Sequence, residues 1–130
     1  MVRRAALICL LAAVAGCGGG GDAEDAEQTV RDFVTAVRES DADTFCDELV
    51  TQEFLEQTIG ATGDKASESC KRELNALTGL RVRLVRIVSS KVDGDRATVT
   101  AVLARSGQRL RQTFRLKNED GDWRLAGSGE

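Results

Sequence analysis

The chain contains no histidine and no tyrosine. Without histidine there is no imidazole general base, no histidine metal ligand and no side chain that titrates near neutral pH in its ordinary state. Without tyrosine there is no phenol to donate a hydrogen bond to a developing oxyanion. There is also no glycine-rich phosphate loop, no nucleophile elbow, no CxxC pair and no internal repeat. Positive charge is not in excess either: 18 Lys and Arg stand against 21 Asp and Glu, a net charge of −3, which argues against a nucleic-acid binder. What remains is ordinary for a globular protein, 42% hydrophobic and 30% charged, and 130 residues hold one domain.

The first residues read as an address. Arg3 and Arg4 precede an unbroken apolar or small-residue run from Ala5 to Ala15. As a helix that run is about 16 Å long, too short for a hydrocarbon core of about 30 Å but matched to the apolar region of an export signal. Val14-Ala15-Gly16-Cys17 then resembles the bacterial lipobox. The resemblance implies cleavage between Gly16 and Cys17, removal of residues 1–16 as a signal peptide, and a diacylglyceryl group on the Cys17 sulfur. The paired arginines also raise a twin-arginine route, although their neighbours fit it poorly. Two acyl chains hold a protein stably at a bilayer where one holds it marginally, so the expected location is the extracytoplasmic face of the cell membrane. Removing the leader takes away two arginines and no acid, and the net charge becomes −5. Residues 17–25 are the lipidated Cys17 and a flexible tether of four glycines followed by acids, of which residues 18–25 reach about 25–29 Å at most.

Two cysteines are then left for the domain, Cys46 and Cys70. Outside the cytoplasm a disulfide between them is the default. Metal binding and redox catalysis are the alternatives. Two thiolates alone make a poor metal site, and a redox pair is expected closer together in sequence.

Residues 26–130 are expected to form a single α+β domain. Ala26, Val30, Phe33, Val34 and Val37 share one face of a helix. Asp41 is a candidate N-cap for a second helix bearing Ala42, Phe45, Cys46 and Leu49, and Thr51 for a third bearing Phe54, Leu55 and Ile59. Ser67 is expected to open a fourth, with Cys70, Leu74 and Leu77 aligned and Gly79 as its stop. After Gly79 the period becomes two. Leu80, Val82 and Leu84 alternate with Arg81 and Arg83, then Val85 and Ile87 take over the apolar parity, which signals a bulge or burial on both faces. Ala97, Val99, Ala101 and Leu103 form one further alternating set. Leu110, Gln112, Phe114 and Leu116 form another. Turns are expected at Asp93–Asp95 and Ser106–Gly107, with a loop over Asn118–Asp122 before Trp123 to Leu125. The result is N-terminal helices packed on one face of a curved four-stranded antiparallel sheet.

That order, with Asp95–Ala101, Phe114–Leu116 and the Gly-x-Trp-x-apolar run Gly121–Leu125 closing the sheet, resembles the nuclear transport factor 2-like superfamily with its cystatin-like cone. It also resembles small lipoproteins of high-GC Gram-positive bacteria, with which 14 arginines against 4 lysines agree weakly. Fuller members of the superfamily have a strand among the early helices that helps wall a deep cavity; residues 50–69 show none, which puts an enclosed pocket in doubt. Some relatives are isomerases or cyclases, which implies an acid in the cone, and Asp47 and Glu48 are the acids nearest the helical cap.

The candidate sites follow. Gln112 is directed inward by strand parity and, with Phe114 and Trp123, is a candidate pocket lining; Phe33, Phe45 and Phe54 either join them around an apolar cleft or fill the core. Arg109, Arg111, Arg115 and Lys117, with Arg81 and Arg83, form a candidate basic contact face on the outer side of the sheet, for anionic headgroups or an acidic protein. The expected function is a non-catalytic binding or accessory module of the cell envelope, meeting an envelope protein or an apolar small molecule, with no cofactor, no metal and no nucleic acid. The alternatives are an isomerase- or cyclase-like enzyme using Asp47 or Glu48, and a carrier of apolar small molecules.

Overall fold

A computed structural model describes residues 20–76 and 81–129. Gly16, Cys17 and the expected export signal therefore lie outside the described residues, as does Gly79, the expected stop of the fourth helix. Among the described residues five helical segments precede four strands: α1 (Gly20–Glu39), α2 (Ala42–Thr44), a π-helical turn (Phe45–Leu49), α3 (Gln52–Ile59), α4 (Asp64–Ala76), β1 (Val82–Asp93), β2 (Arg96–Arg105), β3 (Gln108–Glu119) and β4 (Asp122–Gly129). The sheet is a meander in the order β1-β2-β3-β4, antiparallel throughout.

α1 starts at Gly20, six residues before the expected start, so residues 20–25 are helix and not tether. Ala26, fully buried, anchors the first turns against the sheet. Asp22 then lies in the first turn, where the helix dipole favours negative charge. Composition alone misled here, because glycine propensity opposes a helix that tertiary packing and charge support.

The single second helix expected after Asp41 is two pieces. Asp41 does cap it, accepting from the Thr44 N–H at 3.3 Å, but the backbone widens into a π turn over Phe45–Leu49. Thr51 caps α3 as its sequence position implies, accepting from Phe54 N–H at 3.1 Å, and Gly60 closes it in the left-handed region. α4 opens at Asp64 instead of Ser67. The Gln52 side chain donates to the Gly63 carbonyl and the Glu56 carboxylate accepts from its N–H, and this brace sets the helix start three residues early.

β1 carries two register shifts, between Leu84 and Arg86 and between Ile87 and Ser89. The parity change seen in the sequence is therefore a pair of bulges. β3 and β4 extend to Glu119 and from Asp122, so most of the expected Asn118–Asp122 loop is strand and the turn is only Asp120-Gly121, both at positive φ. That conformation is the type I′ geometry whose twist matches the strands it joins. One residue, Val50, pairs in parallel with Leu125, and Thr51 N–H donates to the Leu125 carbonyl at 2.9 Å. This single bridge is the extended pairing that residues 50–69 make with the sheet among the described residues.

The core lies between α1, the helical cap and the inner sheet face. Val30, Val99, Phe114, Leu116 and Leu125 are its largest fully buried side chains. At about 1.5–3 kcal/mol for each large side chain removed from water, these five alone rival the net stability of a typical domain before chain entropy is subtracted.

Candidate functional site

Cys46 on the π turn and Cys70 on α4 form a disulfide, with Cα atoms 6.0 Å apart. Both residues are buried. The bridge fastens α4 to the π turn and holds one wall of an apolar cleft of about 250 Å³. Phe33, Phe45 and Phe54 line that cleft beside Cys70, Leu74 and Leu125. Phe33 contacts Phe45 at 5.0 Å and Phe114 at 5.6 Å between ring centroids. The three outer phenylalanines are half-buried while Phe114 is sealed beneath them at 2% exposure, so the aromatics divide between cleft and core. Only Glu73 brings a charge to the rim. A volume of 250 Å³ is below the range of about 300–1,000 Å³ usual for small-molecule sites.

Gln112, Phe114 and Trp123 do not gather around one cavity. Trp123 pairs with Asn118, and Gln112 lies six residues from Asn118 along β3, a separation of about 20 Å. Trp123 lines a polar cleft with Thr29 and Glu48 at the β3–β4 turn end, where the Thr29 hydroxyl donates toward the Trp123 carbonyl at 3.1 Å. Gln112 is only half-buried, and its neighbour of the same parity, Leu110, is exposed. The inward direction read from parity holds for Phe114 and Leu116. It fails for Leu110, which is exposed beside the β2–β3 turn.

Asp47 and Glu48 face different clefts. The Asp47 carboxylate meets Lys71 Nζ at 2.7 Å and accepts from the Ser67 hydroxyl at 2.6 Å. Hydrogen bonding from Lys71, then from Ser67, lowers its pKa below the ordinary carboxylate value, and the same contact raises that of Lys71. A carboxylate held ionised and half-exposed is a weak base, and its partners identify it as a surface tie between the π turn and α4. No group of three or more acids or cysteines suited to a metal ion occurs among the described residues.

On the sheet's outer side Arg109, Arg111 and Arg115 are exposed and Lys117 is half-buried. Arg115 is committed to packing: its guanidinium lies over Gly127, where an added Cβ would come within 2.5 Å of Nη2. Arg124 Nη1 donates to the Asp47 carbonyl at 2.9 Å. Arg86 and Arg38 were not singled out from the sequence. For Arg86 the signal was present in the parity change at Val85, which carries it to the outer face; for Arg38, on the polar face of α1, there was none.

No protein-family profile and no curated protein matches the sequence. Solved structures do match in fold. A protein of unknown function with a cystatin-like fold from Nostoc punctiforme superposes with a TM-score of 0.59 at 12% identity, over 84% of this chain and 89% of that one. An NTF-2 like protein of unknown function from Silicibacter pomeroyi gives 0.52 at 16%, over 83% and 92%. One from Shewanella oneidensis gives 0.51 at 15%, over 81% and 94%. The fold is thus nuclear transport factor 2-like, as the order of elements implied.

Proposed function

We propose that the chain is a lipid-anchored extracytoplasmic lipoprotein whose domain serves as a non-catalytic binding or accessory module of the cell envelope. The observation that carries the reading is the filled cone. Val99, Phe114, Leu116 and Leu125 occupy its interior at 0–2% exposure, and the only buried polar side chains among the described residues are Thr29 and Thr51. Isomerase-type chemistry needs an acid in that interior, whereas Asp47 lies outside it and is kept ionised by Lys71. The small volume of the apolar cleft supports a protein-facing role over carriage of a lipid-sized molecule. The address rests on Arg3, Arg4, the apolar run and the Val14–Cys17 lipobox.

Intact-mass measurement on protein from its native cells tests the anchor. The expected species begins at Cys17 and carries acyl chains; a species beginning at Met1, or one without fatty acid, refutes it. Titration with a long-chain fatty acid separates module from carrier. Absence of saturable binding is expected, and a stoichiometric complex would establish the carrier alternative.

A further inference from the structure

We infer that the outer sheet face near the β2–β3 turn is a binding site for a ligand bearing two or more closely spaced phosphate groups. The grid that forms it is set by register. Arg83 pairs with Ala104, which pairs with Arg109; Arg86 pairs with Val102, which pairs with Arg111. Arg83 and Arg86 are three apart and would leave a regular strand on opposite faces. The bulge between Leu84 and Arg86 returns Arg86 to the outer face, and all four arginines are exposed.

Across the two-strand gap the paired arginines are about 10 Å apart, and along β3 Arg109 and Arg111 are about 7 Å apart. The residue between the first pair is alanine, buried at 8%, so the grid has a shallow floor. Beside it, Arg38 from the end of α1 and Arg81 join Arg83, Arg109 and Ala104 in a concave cleft of about 760 Å³ with no acid in its lining. None of these six arginines takes part in an ion pair among the described residues.

Two bland accounts fit poorly. Cations on an exposed edge deter strand pairing, which accounts for Arg83 and Arg86 on the edge strand β1 but not for Arg109 and Arg111 on β3, an inner strand of the sheet. Solubility is already served by a net negative charge, and like charges packed on one face of a sheet are unfavourable without a counter-ion. The six cations are all arginine, whose planar fork stays charged and binds oxyanions in two-point fashion. Phosphate suits the grid better than carboxylate because each group brings more charge into a small concave space. An anionic lipid headgroup and a free phosphate ester share this chemistry.

The test uses the full chain with Cys17→Ser, so it is independent of acylation and of the proposed anchor. Tripolyphosphate is the soluble probe. Vesicles of phosphatidylglycerol, with phosphatidylcholine vesicles as control, are the membrane probe. Saturable binding is expected, weakened about tenfold or more by Arg83→Gln/Arg109→Gln and less than about twofold by Lys91→Gln/Lys117→Gln, which removes equal charge at the other end of the same face. Unchanged circular dichroism shows that both variants fold. Vesicle binding that depends on the arginine pair assigns the headgroup; tripolyphosphate binding without it assigns a soluble ester. Equal losses in the two double variants, no binding to either probe, or tighter binding to polyglutamate than to tripolyphosphate would overturn the inference, the last in favour of an acidic protein.

Discussion

The two ends of the sheet share strands and alternation yet differ in fate. At the β3–β4 turn end, Leu116 and Leu125 are 1% exposed, and Thr29 and the Val50 bridge tie helices to β4. At the β2–β3 turn end, every residue from Arg105 to Arg111 is exposed, Leu110 included. The reason is length. Twenty residues of α1 span about 30 Å as a helix, whereas twelve residues of β3 span about 40 Å as a strand. A helix laid along such a strand leaves part of it to solvent, although the Arg38 end of α1 still reaches the cleft beside the β2–β3 turn. The uncovered end is where the arginine grid lies.

Substitutions along β3 probe this contrast most directly. Phe114→Ala opens a cavity under the cap and is expected to destabilise by about 3–5 kcal/mol, against less than about 0.5 kcal/mol for Leu110→Ala. Urea unfolding of both measures the difference, and similar losses would mean that the free end is covered after all. Replacing both cysteines, Cys46→Ala with Cys70→Ala, removes a tie across 24 residues and is expected to cost about 3 kcal/mol. Thermal unfolding monitored at Trp123 reads that loss; an unchanged midpoint would show that the cap holds without its bridge. Thr51→Ala deletes the α3 cap at a cost of about 1 kcal/mol, measurable by denaturant midpoint, and Thr51→Ser should recover most of it.

The smallest effect belongs to Asp47. Its pKa is lower folded than unfolded, so its contribution is fully present above the unfolded value near 3.8 and is lost as pH falls through the lower folded value. Asp47→Asn should therefore narrow the stability difference between pH 6 and strongly acidic solution, by little because the pair is exposed to solvent. A stability difference between the two pH values that is unchanged in the variant would remove Asp47–Lys71 as a tie.

Much of the fold was legible because local chemistry and global packing agree. Asp41 and Thr51 are caps by residue type and by position, and Ala97 to Leu103 alternate cleanly because one side meets the core. The early start of α1 was not legible, since glycine propensity pointed the other way and only the seat of Ala26 against the sheet reverses it. The π turn had no signal in residue type. Of the candidate sites, the disulfide followed from counting cysteines, while Gln112 was placed by a parity that holds only under helical cover.

Residue type and spacing alone determined the class of fold, the cysteine pair, the Asp41 and Thr51 caps and the change of register in β1, because each is a short-range or counting property of the chain. Tertiary structure decided which part of the inner face is core and which is exposed. It decided that Phe114 fills the cone while Phe33, Phe45 and Phe54 line a cleft above it, and that arginines from α1, β1 and β3 converge at one end. Those outcomes depend on the length of one element measured against another and on strand register, and both arise only when distant segments meet.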